Sequence, residues 1–172
     1  MEMVNSRRIT NIGVMTALYA ALTMVCSPLA YNDIQFRFSE LLMLFCCFNK
    51  DYILSVTLGC CIVNIWSPLG LVDVGFGTAA TLIAALLMYL LRNKVNLFVA
   101  SFFPVVTNGF IIAAELKIVQ GLPYWGCVGS VAFGEFICVS IIGVPIVRSM
   151  TRNRSFMKLI MTGTDMKSAK DR

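Results

Sequence analysis

Long apolar runs separated by short polar stretches dominate the pattern of this chain. A helix needs about 20 apolar residues to cross the hydrocarbon core of a bilayer, and fewer where neighbouring helices shield it. Six segments satisfy one of these conditions: Ile9–Leu29, Phe38–Phe48, Tyr52–Trp66, Val74–Leu91, Leu97–Val119 and Gly126–Val147. The pattern therefore predicts an all-α integral membrane protein with six transmembrane helices, forming a single membrane domain over residues 1–172.

Polar residues between these segments predict how the helices connect. Only Asn49, Lys50 and Asp51 separate the second apolar segment from the third, which predicts a tight helical hairpin. The chain from Arg148 onward is a polar and basic tail. Within it, residues 155–161 are weakly amphipathic and are expected to lie on the membrane surface.

The basic residues predict the orientation of the helices, because lysine and arginine accumulate on the cytoplasmic side. With six spans and a cytoplasmic N-terminus, all of the 14 basic residues except Arg37 and Lys117 fall on the inner side. Both termini, including the tail at 148–172, are therefore predicted to be cytoplasmic. An opposite bias places five acidic residues in the outer half or the outer loops: Asp33, Glu40, Asp73, Glu115 and Glu135. Carboxylates there suit a cationic or donor-rich ligand that arrives from outside.

Composition strengthens the membrane prediction and narrows the chemistry. The chain is 58% hydrophobic and 13% charged, whereas soluble domains carry about 25% charged residues. It contains no histidine, so it lacks the commonest metal ligand and the usual general base at neutral pH. Its seven cysteines show no CxxC spacing and are predicted to pack as small apolar side chains. The sequence predicts no bound metal, no cofactor and no nucleic-acid partner.

Two glutamates and an asparagine in the last two predicted spans are the strongest candidates for a binding site. An ionisable group within the bilayer costs about 2.5–3.5 kcal/mol on insertion scales, so it usually faces an interior cavity. Asn108 and Glu115 are seven residues apart, which places them on one helix face about 10 Å apart along the axis. Glu135 lies roughly 13 Å below the outer end of the last span. We expect the three to share a pocket; interfacial placement of Glu115 and interhelical hydrogen bonds at Asn108 and Glu135 are the structural alternatives.

Residues near the outer helix ends are further candidates. Asp73 stands just before the fourth span, where it would cap the helix or contact a ligand. Tyr31 and Trp125 are suited to cover a planar ring, although aromatic residues also form the interfacial belt of membrane proteins.

A stripe of small residues at a spacing of four, Gly13, Ala17 and Ala21, runs along the first span. Small side chains let another helix approach closely. Two interpretations remain open from the pattern alone: packing within the chain, and docking of a separate membrane subunit.

An enzyme is the alternative from a different functional class. Glu115 and Glu135 would then form the acid pair of an intramembrane enzyme. Without histidine, however, no nucleophile–base pair can be assembled, and no nucleotide or cofactor motif is present.

Two stretches of the chain carry a family resemblance. The first, at 34–87, reads IQFRFSELLMLFCCFNKDYILSVTLGCCIVNIWSPLGLVDVGFGTAATLIAALL and contains an R-x-S-E segment and an N-x-x-S-P-L-G-L-x-D loop. The second, at 107–136, reads TNGFIIAAELKIVQGLPYWGCVGSVAFGEF and contains both intramembrane glutamates. Together they resemble the QueT family, substrate-binding S components of energy-coupling factor (ECF) transporters.

The resemblance implies a function, partners and a location. The chain would be the S component of an ECF-type ABC importer in the cell membrane, capturing queuosine precursors such as 7-aminomethyl-7-deazaguanine or queuine. It would work with a transmembrane coupling subunit and two cytoplasmic ATPases. In such families the small-residue stripe docks onto the coupling subunit, which favours docking for Gly13, Ala17 and Ala21. An S component for another small vitamin-like cation is the alternative within this class.

The hydrogen-bonding groups of a deazaguanine match the candidate residues. Its N1–H and exocyclic amine are adjacent donors that one carboxylate accepts in bidentate fashion. Its carbonyl and N3 need donors, for which Asn108 or Asn64 would serve, and its aminomethyl cation favours a second carboxylate. Arg37 and Glu40 are expected to form an i,i+3 ion pair that fixes the outer loop over the pocket, or to touch the ligand.

Overall fold

The computed structural model describes residues 6–27 and 36–160. Its regular elements in this range are all helical, which confirms the predicted all-helical class. They are α1 (Ser6–Val25), a 3-10 helix (Phe38–Cys47), α2 (Asp51–Asn64), α3 (Leu71–Leu91), α4 (Leu97–Ala100), α5 (Phe102–Gln120), α6 (Tyr124–Glu135), a π-helix (Phe136–Gly143), α7 (Val144–Arg152) and α8 (Arg154–Ile160).

Four helical stretches in the described range are long and apolar enough to cross a membrane: Arg8–Val25, Leu71–Leu91, Leu97–Gln120 and Tyr124–Arg152. The 3-10 helix and α2 are shorter apolar helices. They form the predicted hairpin, in which the Asn49 side chain accepts a hydrogen bond from the Asp51 N–H at 2.9 Å. Around it, α1 packs on α2, α3 lies between α2 and α5, and α5 packs on α6.

The second apolar segment forms its helix at the centre of the molecule, and that helix is of the 3-10 type. Eight of its ten residues are buried. A helix that is apolar on every side is stable when other elements surround it. Its rise of about 2 Å per residue makes ten residues roughly 20 Å long, a third longer than an α-helix of the same length. The 3-10 helix therefore spans a greater distance through the bundle than an α-helix of ten residues would. Its burial on all sides could not be predicted from the apolar run alone.

The predicted fifth span is interrupted at Ser101, between α4 and α5. Pro104 has no N–H, so the carbonyl of Ala100, four residues earlier, receives no helical hydrogen bond from it. At the break, the Ser101 hydroxyl donates to the Phe98 carbonyl at 2.6 Å and lies 2.8 Å from the Ser140 hydroxyl. The missing proline N–H and these two side-chain contacts accompany the break between α4 and α5.

The first span, the hairpin turn and the C-terminal helix meet at one end of the molecule. Arg8 donates two hydrogen bonds to Asp51, at 2.8 and 2.6 Å. The Asn49 side chain donates to the carbonyl of Ile160 at 2.8 Å, and the Phe156 ring packs against Phe45. The amphipathic segment expected on the membrane surface therefore folds back onto the hairpin over its described part, because its apolar side chains find a protein surface to bury against.

Cysteine packing agrees with the sequence prediction. Cys46, Cys47, Cys60 and Cys138 belong to the main hydrophobic core, and Cys127 belongs to a second core between α5 and α6.

Candidate functional site

Polar side chains from four helical elements are buried in the interior of the bundle. Glu40 comes from the 3-10 helix, Asp73 from α3, Asn108 and Glu115 from α5, and Glu135 from α6; each is at most 2% exposed. We call these five residues the acid cluster. Because Asn108 and Glu115 are both buried, the prediction that they share one face of their helix is confirmed.

Glu40 lies at the meeting point of three elements. Its Oε1 accepts a hydrogen bond from the Tyr19 hydroxyl of α1, and the Thr81 hydroxyl of α3 lies 3.5 Å from the same oxygen. One oxygen of Glu40 is therefore held by the protein, whereas the other, Oε2, has no partner in the described part of the chain.

Asn108 and Glu135 link α5 to α6. The Asn108 amide donates to Glu135 Oε1 at 2.8 Å. Glu135 is the last residue of α6, and the π-helix starts directly after it, with the Val144 N–H bonded to the Val139 carbonyl. π-helical turns within α-helices occur frequently at functional sites. The interhelical hydrogen bond considered for Asn108 and Glu135 is thus present, and it leaves Asn108 Oδ1 and Glu135 Oε2 without partners in the described residues.

Arg37 is paired differently from the sequence prediction. Its guanidinium lies 3.6 Å from Asp73 Oδ1, on another helix, while Glu40 bonds to Tyr19. The expected i,i+3 ion pair of Arg37 and Glu40 is therefore replaced by a bridge between the 3-10 helix and α3. Asp73 is 36 residues away from Arg37 in the sequence and becomes its neighbour only through the packing of the helices.

Asp73 also differs from its expected position. Helix α3 begins at Leu71 after Gly70, whose φ of 61° is a conformation that glycine adopts without strain. Asp73 consequently lies in the first turn and does not cap the helix. The Asn64 side chain donates to the Asp73 backbone carbonyl at 3.0 Å, so Asn64 supports the start of α3.

Glu115 is the most weakly bonded member of the acid cluster. It is fully buried, and both of its carboxylate oxygens have no partner in the part of the chain that the structure describes. Its charged neighbours are Asp73 and Arg37. The carboxylate therefore faces the protein interior, and its interfacial placement stays one alternative for its depth in the membrane.

Unpartnered acceptors are the main chemical feature of the acid cluster. Six buried oxygens of the acid cluster lack a hydrogen-bond partner within the described residues: Glu40 Oε2, Asp73 Oδ1, Asn108 Oδ1, Glu115 Oε1, Glu115 Oε2 and Glu135 Oε2. A buried acceptor without a partner costs about 1–3 kcal/mol, and a charged one costs more. Arg37 brings one guanidinium to four carboxylates. This arrangement suits a ligand that carries several N–H donors and a positive charge.

All five residues of the acid cluster are buried in the described structure. A cavity of about 160 Å³ lies between the C-terminal parts of α1 and α2, lined by Thr23, Met24, Ser27, Val63 and Trp66. Thr23 joins it to the 3-10 helix through a 2.7 Å hydrogen bond with Ser39, next to Glu40. This cavity is smaller than most ligand sites, which measure about 300–1,000 Å³.

The other predicted site residues lie outside the acid cluster. Trp125 is 74% exposed and stacks edge-on with Tyr124, so its role as a cover stays a prediction. Tyr31 lies outside the described residues. Gly13, Ala17 and Ala21 are all exposed on α1, and a Cβ atom at Gly13 would meet nothing within 4 Å. Packing against the described parts of the chain therefore does not explain this stripe.

Sequence reasoning missed Tyr19 and Thr81 as members of the site. The available signal for Tyr19 was its depth, since it lies in the middle of an apolar span and not in the interfacial belt. A tyrosine buried there needs a partner for its hydroxyl, and Glu40 supplies it. Thr81 gave no comparable signal, because a threonine hydroxyl can bond to its own helix.

Gly77 is expected to be required for the Asn64–Asp73 contact. A Cβ atom at this position would lie 2.3 Å from Asn64 Nδ2 and 3.1 Å from Asp73 Oδ1. Gly77→Ala should displace the Asn64 amide and lower the free energy of unfolding by roughly 1–3 kcal/mol. Thermal melting of the purified protein measures this. Gly75→Ala, on the same helix with nothing within 4 Å of the added atom, is the matched control, and equal melting of the two variants would contradict the expectation.

Comparison with known proteins places these residues in a family. A family model described as QueT transporter matches residues 9–152. The chain is also 39% identical over 148 residues to the queuosine precursor transporter QueT of Lactococcus lactis subsp. cremoris (strain MG1363), covering 77% of this chain and 86% of that protein. No solved structure gives a significant match. The chain therefore belongs to the QueT transporter family and is a membrane transport protein, not an enzyme.

Proposed function

We propose that the chain is the substrate-binding S component of an ECF-type importer for queuosine precursors, 7-aminomethyl-7-deazaguanine or queuine. It captures them outside the cell and delivers them inward. The observation that carries this proposal is the set of buried, unpartnered acceptor oxygens in the acid cluster. The Lactococcus lactis relative, a queuosine precursor transporter, supplies the ligand class.

The chemistry of such a precursor complements the acid cluster. Its guanine-like edge offers N1–H and an exocyclic amine, and its aminomethyl substituent is a cation. These donors match acceptors that have no partner in the described residues, and the cation offsets the excess of carboxylates over Arg37. Hydrogen bonds to charged groups contribute about 1.5–3 kcal/mol each, so a ligand that satisfies two carboxylates binds strongly.

The proposed membrane arrangement is six transmembrane helices in the cell membrane with both termini cytoplasmic. Four long apolar helices and two shorter ones supply the six spans. The Arg8–Asp51 and Asn49–Ile160 contacts support it, because they bring the start of α1, the hairpin turn and α8 to one end. Basic residues concentrate at that end in the sequence, as expected for a cytoplasmic side.

The proposed partners are an ECF transmembrane coupling subunit and two cytoplasmic ATPases. The part of the chain that the structure describes contains no ATPase domain. Because uptake against a gradient needs a source of energy, partner subunits would supply it. Helix α1 presents Gly13, Ala17 and Ala21 on its outer face, where a partner helix can approach closely.

Binding by the purified protein tests the proposed ligand class. Calorimetric titration against pterins, purines, deazaguanines and B vitamins should show tight binding for the deazaguanines. Tight binding of a different vitamin-like cation, without binding of a deazaguanine, would instead support the alternative S component.

Docking through α1 predicts a separation of transport from binding. Ala17→Leu or Ala21→Leu should abolish or strongly reduce transport, because a bulky side chain keeps the partner helix at a distance. Ligand affinity of the isolated subunit should stay within about twofold of the parent.

Recovery of the coupling subunit in a pull-down measures the docking step directly. Ala79→Leu is the matched control, since Ala79 is an exposed alanine on α3, away from the stripe. Undiminished recovery with Ala17→Leu and Ala21→Leu would assign the stripe to lipid contact.

A further inference from the structure

Five of the six unpartnered oxygens in the acid cluster fall into two groups of different geometry, and the sixth, Asp73 Oδ1, faces the Arg37 guanidinium. Glu40 Oε2, Asn108 Oδ1 and Glu135 Oε2 belong to three side chains on three elements. The Asn108 amide donates to Glu135 Oε1, and the Glu40 carboxylate is close enough to Glu135 to interact with it electrostatically. Glu115 Oε1 and Oε2 belong to a single carboxylate. Asn108 and Glu115 are two turns apart on α5, about 10 Å along the helix axis.

The two groups of acceptor oxygens suit ligands with different arrangements of N–H donors. A primary ammonium carries three N–H donors that point in three directions, which suits acceptors from three separate side chains. The guanine-like edge carries two parallel donors, which suits the two oxygens of one carboxylate. The separation of the two groups corresponds to a ligand with its ammonium and its base edge at opposite ends.

We propose that the acid cluster contains two subsites of different specificity: Glu40, Asn108 and Glu135 bind a primary ammonium group, and Glu115 reads the N1–H and amine edge of the base. Tyr19 and Thr81 act as positioning residues, because they hold Glu40 Oε1 and leave Oε2 for the ligand. This assignment rests on the proposed function and specifies which side chains select the substituent and which select the ring.

A pair of ligands separates the two subsites. Calorimetry on the full-length protein would compare 7-aminomethyl-7-deazaguanine with 7-ethyl-7-deazaguanine, its uncharged isostere. The parent should prefer the aminomethyl compound by about ten- to a hundred-fold, as expected for the loss of one charge-assisted contact. Glu135→Gln should reduce this preference about tenfold or more and leave the affinity for the ethyl compound nearly unchanged. Glu115→Gln should weaken both ligands by a similar factor and preserve the preference.

Tyr19→Phe tests the positioning role without removing an acid. The phenylalanine ring keeps the contact with the α2 backbone at Gly59, where a Cβ atom would lie 2.8 Å from the tyrosine ring. We expect a smaller preference for the aminomethyl compound with the affinity for the ethyl compound retained, whereas general structural damage would weaken both ligands alike.

Each outcome decides between the proposals. Equal affinity of the parent for the two compounds, or an unchanged preference in Glu135→Gln, would overturn the ammonium subsite and leave the proposed function intact. Loss of the preference in Glu115→Gln would overturn the division of roles. Failure of the parent to bind either compound would remove the proposed function together with this inference.

Discussion

Adenine is expected to bind this protein roughly 10⁴-fold more weakly than 7-aminomethyl-7-deazaguanine, with guanine between the two. Guanine keeps the N1–H and exocyclic amine that a carboxylate such as Glu115 accepts. Adenine instead presents a ring acceptor at N1, which would face an ionised carboxylate and leave it unpaired. A site built from buried polar groups rejects such an analogue strongly, because the unsatisfied groups stay desolvated.

Competition binding with labelled deazaguanine measures this order. Queuine should bind between the aminomethyl compound and guanine, because its secondary amine keeps the cation but offers one N–H donor fewer to the three acceptors of the ammonium subsite. The matched comparison is guanine against adenine, which have the same fused-ring framework and differ in the edge that they present. Adenine competing as well as guanine would contradict readout of the base by a carboxylate.

Removal of the Arg37 guanidinium is expected to cost about 3–5 kcal/mol of folding stability. Arg37 is 5% exposed and lies 3.6 Å from Asp73, which is 2% exposed. Breaking a buried ion pair by removing one partner leaves the other charge uncompensated in a medium that solvates it poorly. Arg37→Met keeps much of the apolar side-chain volume and removes the charge.

Thermal melting in detergent measures the stability lost in Arg37→Met. Two further variants show whether the loss comes from the ion pair with Asp73. Arg37→Met combined with Asp73→Asn should recover part of the stability, because the stranded carboxylate is then absent. Arg148→Met is the matched control at an exposed arginine, where the change should stay within about 0.5 kcal/mol. A melting temperature of Arg37→Met equal to that of Arg148→Met would show that the Arg37–Asp73 pair adds nothing to stability.

The local sequence pattern was enough to predict the helical class and the burial of several candidate site residues. Apolar runs of sufficient length predicted the helices, because backbone groups in a bilayer must bond within their own segment. A spacing of seven predicted that Asn108 and Glu115 share a face, since helical periodicity depends only on sequence separation. The cost of placing a carboxylate in an apolar span likewise identified Glu115 and Glu135 as candidates from the sequence alone.

Tertiary structure decided the partners of these side chains. Sequence spacing suggested that Arg37 pairs with Glu40 three residues later, yet Arg37 reaches Asp73 on α3 and Glu40 reaches Tyr19 on α1. Sequence spacing identifies the possible partners of a side chain within its own helix. It does not identify a partner on a different helix, such as Asp73 for Arg37. The 3-10 form of Phe38–Cys47 has a related origin, because burial on every side depends on the surrounding helices. The division of the acceptors between Glu115 and the Glu40–Asn108–Glu135 group therefore required the packed bundle.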